Sequence, residues 1–229
     1  MKLKHITDIF FDLDHTLWDF DKNSALAFQK IFEINHVNIN VPEFLKHYEP
    51  INLNYWKLYR EEKIDKESLR YKRLSDTFEA IKYSPNDGLI NKLSIDYITH
   101  LIQFNHLFEG TVTLLNYLDL NYNLHIITNG FEEAQLGKLK NANIINYFKT
   151  ITTSEMVGVK KPNPKIFNYA LTQANAIPEK SIMIGDNYEA DVLGALDFGM
   201  DAICFNYHKL EIHPDIKLVT TLNSLKAYF

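Results

Sequence analysis

The sequence predicts an α/β protein whose doubly wound parallel sheet is interrupted by an all-helical insertion. Short apolar runs that indicate strands lie at the start of the chain and again after residue 107, where they alternate with helical patterns. Such alternation favours right-handed crossovers and a parallel sheet. Because residues 18–106 show helical patterns and no convincing strand, we expect a helical domain there. The α/β core is then formed by residues 1–17 and 107–229.

The strands of the core are predicted from apolar runs bounded by turn signals. The first run covers about residues 8–13 and then breaks. Further strands are predicted at residues 124–128, 150–153, 181–184 and 202–205, and helices at residues 132–142, 164–174 and 190–198. In an open parallel sheet, ligands bind at the carboxyl ends of the strands, so polar residues placed there are the first candidates for a site.

The insertion is predicted to contain four helices. Three of them cover about residues 23–36, 42–48 and 89–108. The remaining helix begins after Asp65, whose carboxylate suits a helix N-cap. Pro50 is expected to end the second helix, because proline disfavours helical backbone at the residue before it.

Composition and charge exclude several classes of function. The formal net charge of −5 argues against an extended surface for a nucleic acid polymer, although a local pocket can still bind a small phosphorylated molecule. Cys204 is the only cysteine, so the chain forms no internal disulfide and a reducing compartment fits. The sequence has no signal peptide pattern and no run long enough to span a membrane. We therefore expect a soluble cytoplasmic protein.

The first chemical signal is a pair of carboxylates at the end of the first predicted strand. Asp12 and Asp14 are two residues apart, so they can face the same side of a pleated strand and share one site. Two like charges at this distance repel each other unless a cation or a proton intervenes. A solvated acidic turn is the alternative interpretation of this motif.

The second signal is the segment Thr128-Asn129-Gly130, which closes another apolar run. A hydroxyl group followed by accessible backbone N–H groups can hold phosphate oxygens in a small nest. A plain turn between a strand and a helix, with a threonine cap, explains the same residues.

The third signal is a loop that carries Lys160-Lys161-Pro162 and a second proline, Pro164. One lysine can neutralise charge between a carboxylate and a phosphoryl group, and the prolines restrict the loop and start the next helix. Most lysine pairs are solvated, so a surface loop is the alternative.

The fourth signal is Gly185-Asp186, again at the end of an apolar strand, with Asp191 following near a helix start. Carboxylate oxygens suit a hard cation such as Mg²⁺. The alternative is that Asp186 caps the helix and that Asp191 stabilises its first turn.

Together, the four signals resemble the phosphohydrolases of the haloacid dehalogenase superfamily, in which they occur in this order. The resemblance covers the whole chain and implies a Rossmann-like α/β core with a helical cap inserted after the first strand. It also implies the following roles. Asp12 is the nucleophile, and Asp14 is the general acid and base. Mg²⁺ is held by Asp12, Asp186 and the backbone carbonyl of Asp14. The phosphoryl group is bound by Thr128, the N–H of Asn129 and Lys161, and the site is supported by Thr16 and Asp191. Because dehalogenase members lack the second aspartate of the first motif, Asp14 points to phosphate ester hydrolysis.

The predicted cap contains all three arginines of the chain beside several aromatic residues. Guanidinium groups and aromatic faces can bind a nucleobase. The alternative is that the aromatic residues pack the cap helices together and the arginines are solvated. The candidates for substrate contact are Arg60, Arg70, Arg73, Trp56 and Tyr59. Segments of the cap and of the first motif resemble the bacterial pyrimidine 5′-nucleotidases of the YjjG type, which implies a nucleoside monophosphate as substrate. A phosphatase for sugar phosphates or phosphoglycolate, and a non-catalytic phosphate-binding regulator, are the alternatives.

Overall fold

The structure, a computed structural model, describes residues 2–229 and divides into two compact units. The sheet unit combines the residues up to Phe20 with Asn105–Phe229, and the helical unit is Asp21–Phe104. The bounds differ by a few residues from those predicted, because Trp18 pairs with backbone on both sides of the insertion, at Asp14 and at Leu107. No helix of residues 2–229 is long and apolar enough to cross a membrane.

The sheet unit is built on six parallel strands in the order β3-β2-β1-β4-β5-β6. Their bounds are β1 Asp8–Phe11, β2 Asn123–Thr128, β3 Phe148–Thr153, β4 Ser181–Gly185, β5 Asp201–Phe205 and β6 Leu218–Val219. The predicted α/β class and parallel sheet are confirmed. Every residue of the two central strands β1 and β4 is buried, as expected for strands covered on both faces.

The helices of the sheet unit cover the sheet and lead from one strand to the next. They are α5 Thr111–Leu118, α6 Glu132–Asn141, α7 Ser154–Val157, α8 Pro164–Ala174 and α9 Gly194–Phe198. A π-helical turn at Tyr188–Leu193 precedes α9, where the sequence predicted a regular helix from residue 190. The turn begins at Asn187, whose side chain accepts a hydrogen bond from the amide of Ala190.

The helical unit contains four helices, as predicted. They are α1 Phe20–Ile34, α2 Val41–Arg60, α3 Lys66–Ala80 and α4 Asp87–Leu101. The side chain of Asp65 caps α3 by accepting a hydrogen bond from the amide of Ser68. The predicted extension of the fourth helix to residue 108 was wrong, since α4 ends at Leu101.

The prediction that Pro50 ends the second helix was also wrong, because α2 continues through it to Arg60. The buried residues of α2 lie on both sides of the proline and include Phe44, Tyr48 and Tyr55. Burial of this continuous aromatic face stabilises the helix on either side, and it outweighs the hydrogen bond that a proline removes.

A buried histidine lies in the sheet, away from the strand ends that carry the four motifs. The ring of His125 stacks on Phe10, with centroids 4.6 Å apart. Its Nε2 lies 3.2 Å from Asp8 Oδ1, and its Nδ1 lies 2.8 Å from Thr150 Oγ1. Burial lowers the pKa of His125, and the neighbouring Asp8 opposes this shift only in part.

We expect the folded state to lose stability as the pH falls below about 6.5, where free histidine takes up a proton. Since the pKa of His125 is lowered by folding, the unfolded chain binds more protons in this range and acid favours unfolding. Thermal melts of the wild type and of His125→Gln between about pH 7.5 and about pH 5.5 measure the effect. The variant should show a weaker pH dependence of Tm. Parallel curves for the two proteins would contradict this assignment.

Candidate active site

The chain turns sharply after β1 and presents Asp12 and Asp14 at the carboxyl edge of the sheet. The amide of Asp12 donates a hydrogen bond to the carbonyl of Ile184, which continues the ladder to β4 by one residue. The carbonyl of Leu13 then accepts the amides of Leu17 and Trp18, at 3.0 and 2.9 Å, and so closes a compact turn. Asp14 therefore lies on a loop that is held in place by hydrogen bonds between backbone groups of the loop.

Lys161 is the centre of a buried ion-pair cluster. Its Nζ lies 2.7 Å from Asp12 Oδ1 and 2.6 Å from Asp191 Oδ1, and it donates a hydrogen bond to the carbonyl of Ile127. Asp191 Oδ2 also accepts the amide of Asn187 at 3.0 Å, so both of its oxygens have partners. Lys161 is thus the lysine of the predicted pair that reaches the carboxylates.

The cluster carries more negative charge than its one ammonium group neutralises. Burial raises the pKa of Asp12 to about 7, although Lys161 opposes the shift. Burial, with the neighbouring Asp191 and Asp12, raises the pKa of Asp186 well above its usual range. Burial alone would lower the pKa of Lys161, but Asp12 and Asp191 outweigh it and the pKa is raised. A bound cation would relieve this repulsion among carboxylates.

The donor set of this cluster fits a hard divalent cation. One carboxylate oxygen from each of Asp12, Asp186 and Asp191 lies within 4.8 Å of the others. Mg²⁺ is commonly held by one or two carboxylates together with water and phosphate oxygens. Because both oxygens of Asp191 already have partners, Asp12 and Asp186 are the better candidates for direct ligands. The hydroxyl of Thr16 lies 3.5 Å from Asp186 Oδ1, so Thr16 borders the same carboxylate.

Thr128 is the last residue of β2, and Asn129, which follows it, contacts the loop that carries Lys161. The side chain of Asn129 accepts the amide of Lys161 at 2.8 Å and donates to the carbonyl of Lys161 at 3.0 Å. This reciprocal pair joins the two loops and fixes the backbone of the lysine. The hydroxyl of Thr128 is buried and accepts a hydrogen bond from the amide of Gly130.

Asp14 has a different set of partners from Asp12. Lys138 Nζ lies 2.6 and 2.8 Å from the two carboxylate oxygens of Asp14, and Gln135 Nε2 donates to Oδ2 at 3.1 Å. Sequence reasoning missed both of these α6 residues. They are three positions apart, so they lie on one helix face, but nothing in the pattern separates Lys138 from the exposed Lys140.

The five candidates for substrate contact all lie in the helical unit. Arg73 is buried there, where its Nη1 donates to Asn52 Oδ1 at 3.0 Å and its guanidinium lies 5.0 Å from the ring centroid of Tyr97. Trp56 and Tyr59 contact each other edge to face, with ring centroids 5.7 Å apart. Arg60, Arg70 and Trp56 are partly exposed.

The chain matches the family model for haloacid dehalogenase-like hydrolases over residues 9–205. It is 34% identical to the pyrimidine 5′-nucleotidase YjjG of Escherichia coli (strain K12), over 95% of this chain and 93% of that one. It is 33% identical to the pyrimidine 5′-nucleotidase PynA of Streptococcus pneumoniae, over 90% and 86% of the two chains.

Two further similarities bear on chemistry and fold. A glyceraldehyde 3-phosphate phosphatase of Methanothermobacter thermautotrophicus is 31% identical over 90% of this chain and 88% of its own. The HAD-hydrolase YfnB from Bacillus subtilis, solved bound to magnesium, superposes with a TM-score of 0.87 at 26% identity, covering 97% of each chain. The motif residues, the parallel sheet and these similarities agree, and the chain is an enzyme that belongs to the haloacid dehalogenase-like hydrolases.

Proposed function

We propose that this enzyme is a Mg²⁺-dependent phosphate monoester hydrolase that acts through an aspartyl-phosphate and prefers pyrimidine nucleoside 5′-monophosphates. The observation that carries the proposal is the cluster around Lys161, where a buried carboxylate, Asp12, is held beside one ammonium group and two further carboxylates. A carboxylate held in this way can act as a nucleophile toward phosphorus once the repulsion between anions is reduced.

In the first chemical step, a carboxylate oxygen of Asp12 forms a bond to phosphorus while the bond from phosphorus to the ester oxygen breaks. Asp14 gives its proton to the departing oxygen, so that the leaving group is a neutral alcohol. In the second step, Asp14 accepts a proton from water, whose oxygen attacks the phosphorus and releases phosphate and Asp12. Asp14 is therefore acid and base in turn.

The phosphoryl oxygens are held by the hydroxyl of Thr128, the N–H of Asn129 and the ammonium of Lys161. The hydrogen bonds between the Asn129 side chain and the Lys161 backbone support this assignment, because they hold together the two loops that carry these donors. Asp191 orients Lys161 through their ion pair.

Mg²⁺ would be held by the carboxylates of Asp12 and Asp186 and by the backbone carbonyl of Asp14. When bound, it supplies positive charge that lets an anionic carboxylate approach an anionic phosphate. The magnesium in the similar YfnB structure and the excess carboxylate charge at this site support the assignment.

We expect activity to be lost after treatment with EDTA and to return with Mg²⁺ but not with Ca²⁺. Calcium takes more ligands at longer distances, which should misplace Asp12. Phosphate release is measured after metal removal and after addition of each cation, with Tm as a second readout of binding. Full turnover in the metal-free enzyme would contradict the assignment.

The preference for pyrimidine nucleotides rests on the two nucleotidase relatives, at 34% and 33% identity. The relative that dephosphorylates glyceraldehyde 3-phosphate, at 31%, favours a second candidate, a phosphatase for small sugar phosphates. The chemistry of the sheet unit is the same in both cases, so substrate choice has to be tested directly.

The deciding experiment compares kcat/KM for dUMP, dTMP, glyceraldehyde 3-phosphate and phosphoglycolate at substrate concentrations below KM. The proposal expects the highest values for the two pyrimidine nucleotides. A higher value for glyceraldehyde 3-phosphate or phosphoglycolate would favour the second candidate. No Mg²⁺-dependent phosphate release from any ester would instead support a non-catalytic phosphate-binding role.

Arg73→Ala is expected to lower stability without changing substrate preference. The substitution removes a buried hydrogen bond from a charged group, which is worth about 1.5–3 kcal/mol. Urea unfolding measures the loss, and the ratio of kcat/KM for dUMP to that for p-nitrophenyl phosphate measures preference.

Arg60→Ala and Arg70→Ala, which change partly exposed residues, are expected to lower this ratio if these side chains bind the nucleoside. A lowered ratio in Arg73→Ala would instead assign substrate contact to Arg73.

A further inference from the structure

Helix α6 carries two buried polar side chains, those of Gln135 and Lys138, which both contact Asp14 of the candidate active site. Gln135 and Lys138 lie one turn apart on the same helix face. Gln135 is fully buried and the side chain of Lys138 is 3% exposed, which is unusual for residue types that normally lie at the surface. Neither has a role in the proposed chemistry, so their burial needs another explanation.

Lys138 holds the carboxylate of Asp14 at both oxygens, with distances of 2.6 and 2.8 Å. The ammonium group also lies 4.5 Å from the ring centroid of Trp18 and 5.5 Å from that of Phe20. Aromatic faces attract a cation and at the same time restrict where it can move. Lys138 is thereby fixed in one position, and it fixes the orientation of the Asp14 carboxylate.

Gln135 links Asp14 to the phosphate-binding threonine. Its Nε2 donates to Asp14 Oδ2 at 3.1 Å and to Thr128 Oγ1 at 2.7 Å, which uses both hydrogens of the amide. Gly130 leaves room for the arrangement, since a Cβ there would lie 2.5 Å from Gln135 Nε2.

The hydrogen bonds to Thr128 decide what its hydroxyl can do. A hydroxyl oxygen has two acceptor positions and one donor. Gln135 and the amide of Gly130 both donate to Thr128 Oγ1, so the two acceptor positions are filled. The proton of Thr128 is then left to donate, which is the state that a phosphoryl oxygen requires.

We propose that Gln135 and Lys138 are positioning residues: Lys138 orients Asp14 for proton transfer, and Gln135 sets the Thr128 hydroxyl as a donor to the phosphoryl group. This inference rests on the proposed function. Lys138 acts on the reaction only through its contacts with Asp14, so its effect is largest where the leaving group needs the proton that Asp14 gives.

The test uses two phosphate esters whose leaving groups differ in how much they need to be protonated by a general acid. A nucleoside monophosphate releases a strongly basic alkoxide unless it is protonated, whereas dinitrophenyl phosphate releases a stable anion. The quantity kcat/KM covers the steps up to the release of the leaving group and therefore isolates the acid role of Asp14.

Lys138→Met is expected to lower kcat/KM for dUMP on the order of tenfold to a hundredfold, which is part of the usual contribution of a general acid. The value for dinitrophenyl phosphate should stay close to that of the wild type. Lys138→Arg should restore much of the loss, because it keeps the charge. Lys140→Met, which removes an exposed lysine from the same helix, is the matched control and should leave both values unchanged.

Gln135→Met is expected to lower kcat/KM for both esters alike, by up to about tenfold, because both carry the same phosphoryl group for Thr128. The Tm of each variant is recorded, and Lys138→Gln replaces Lys138→Met if the latter does not fold. Equal losses for the two esters in Lys138→Met, or no loss at all, would overturn the role of Lys138. Unchanged values in Gln135→Met would overturn that of Gln135.

The wild type separates these outcomes from a failure of the proposed function. If the wild type hydrolyses both esters, while Lys138→Met keeps the wild-type ratio and Gln135→Met keeps the wild-type values, only the positioning roles are wrong. If the wild type hydrolyses neither ester in the presence of Mg²⁺, the proposed function and this inference are both overturned.

Discussion

Asp12→Asn is expected to abolish turnover while leaving the fold intact. The amide that replaces the carboxylate is not a competent nucleophile toward phosphorus, so the covalent step is lost. Loss of the nucleophile of a serine protease lowers kcat on the order of 10⁶-fold, and a similarly large loss is expected here. Release of inorganic phosphate from dUMP measures it, with long incubations to reach the low rates.

The Asp12→Asn variant is expected to fold, because Lys161 keeps its other contacts. Lys161 keeps its ion pair with Asp191 and its hydrogen bond to the carbonyl of Ile127. Since burial raises the pKa of Asp12 to about 7, a neutral side chain at this position is tolerated near neutral pH. A variant that melts like the wild type and keeps its kcat would show that Asp12 does not attack phosphorus.

The positions of the motif residues could be predicted because strand ends determine them. Asp12, Thr128 and Asp186 each follow an apolar run, and parallel pairing of those runs brings their ends to one edge of the sheet. This placement depends only on local pattern and on the fold class, both of which the sequence carries. The catalytic roles of these residues remain predictions.

The contacts of Asp14 could not be predicted, because they depend on how α6 packs. Lys138 and Lys140 are identical in type and two positions apart, yet one is buried against Trp18 and the other is exposed. Local sequence does not contain this difference, which arises only when the helix is placed over the β1 loop. The strand β6 was missed for a related reason, since Leu218–Val219 has too few residues to form a pattern.

Helix α2 continues through Pro50, although the sequence predicted that this proline ends the helix. Here a local rule about proline was applied too strictly. Proline removes one hydrogen bond and crowds the preceding turn. The helix nevertheless continues, because Tyr48 and Tyr55 bury their rings on either side of the proline. Tertiary packing decides here, as it commonly does for helices in folded proteins.

Lys161→Met is expected to lose most activity and to destabilise the protein. The substitution removes the one ammonium group that lies within ion-pair distance of both Asp12 and Asp191 among the described residues. Breaking a buried ion pair by removing one partner commonly costs about 3–5 kcal/mol, because the remaining charge stays buried without compensation. The phosphoryl group also loses a donor, and a fall in kcat/KM on the order of 10²- to 10³-fold follows from the loss of one such contact.

Lys160→Met is the matched control for this prediction. Lys160 is the adjacent lysine in the sequence, and it is partly exposed, whereas the side chain of Lys161 is 2% exposed. Substitution of a surface residue usually changes stability by no more than about 0.5 kcal/mol, so this variant should unfold and turn over like the wild type. Urea unfolding and kcat/KM for dUMP are measured on both variants. If Lys160→Met and Lys161→Met changed the free energy of unfolding and kcat/KM equally, the ion pairs of Lys161 would not be what stabilises the cluster. The burial of the Asp12 carboxylate would then have to be explained by other contacts.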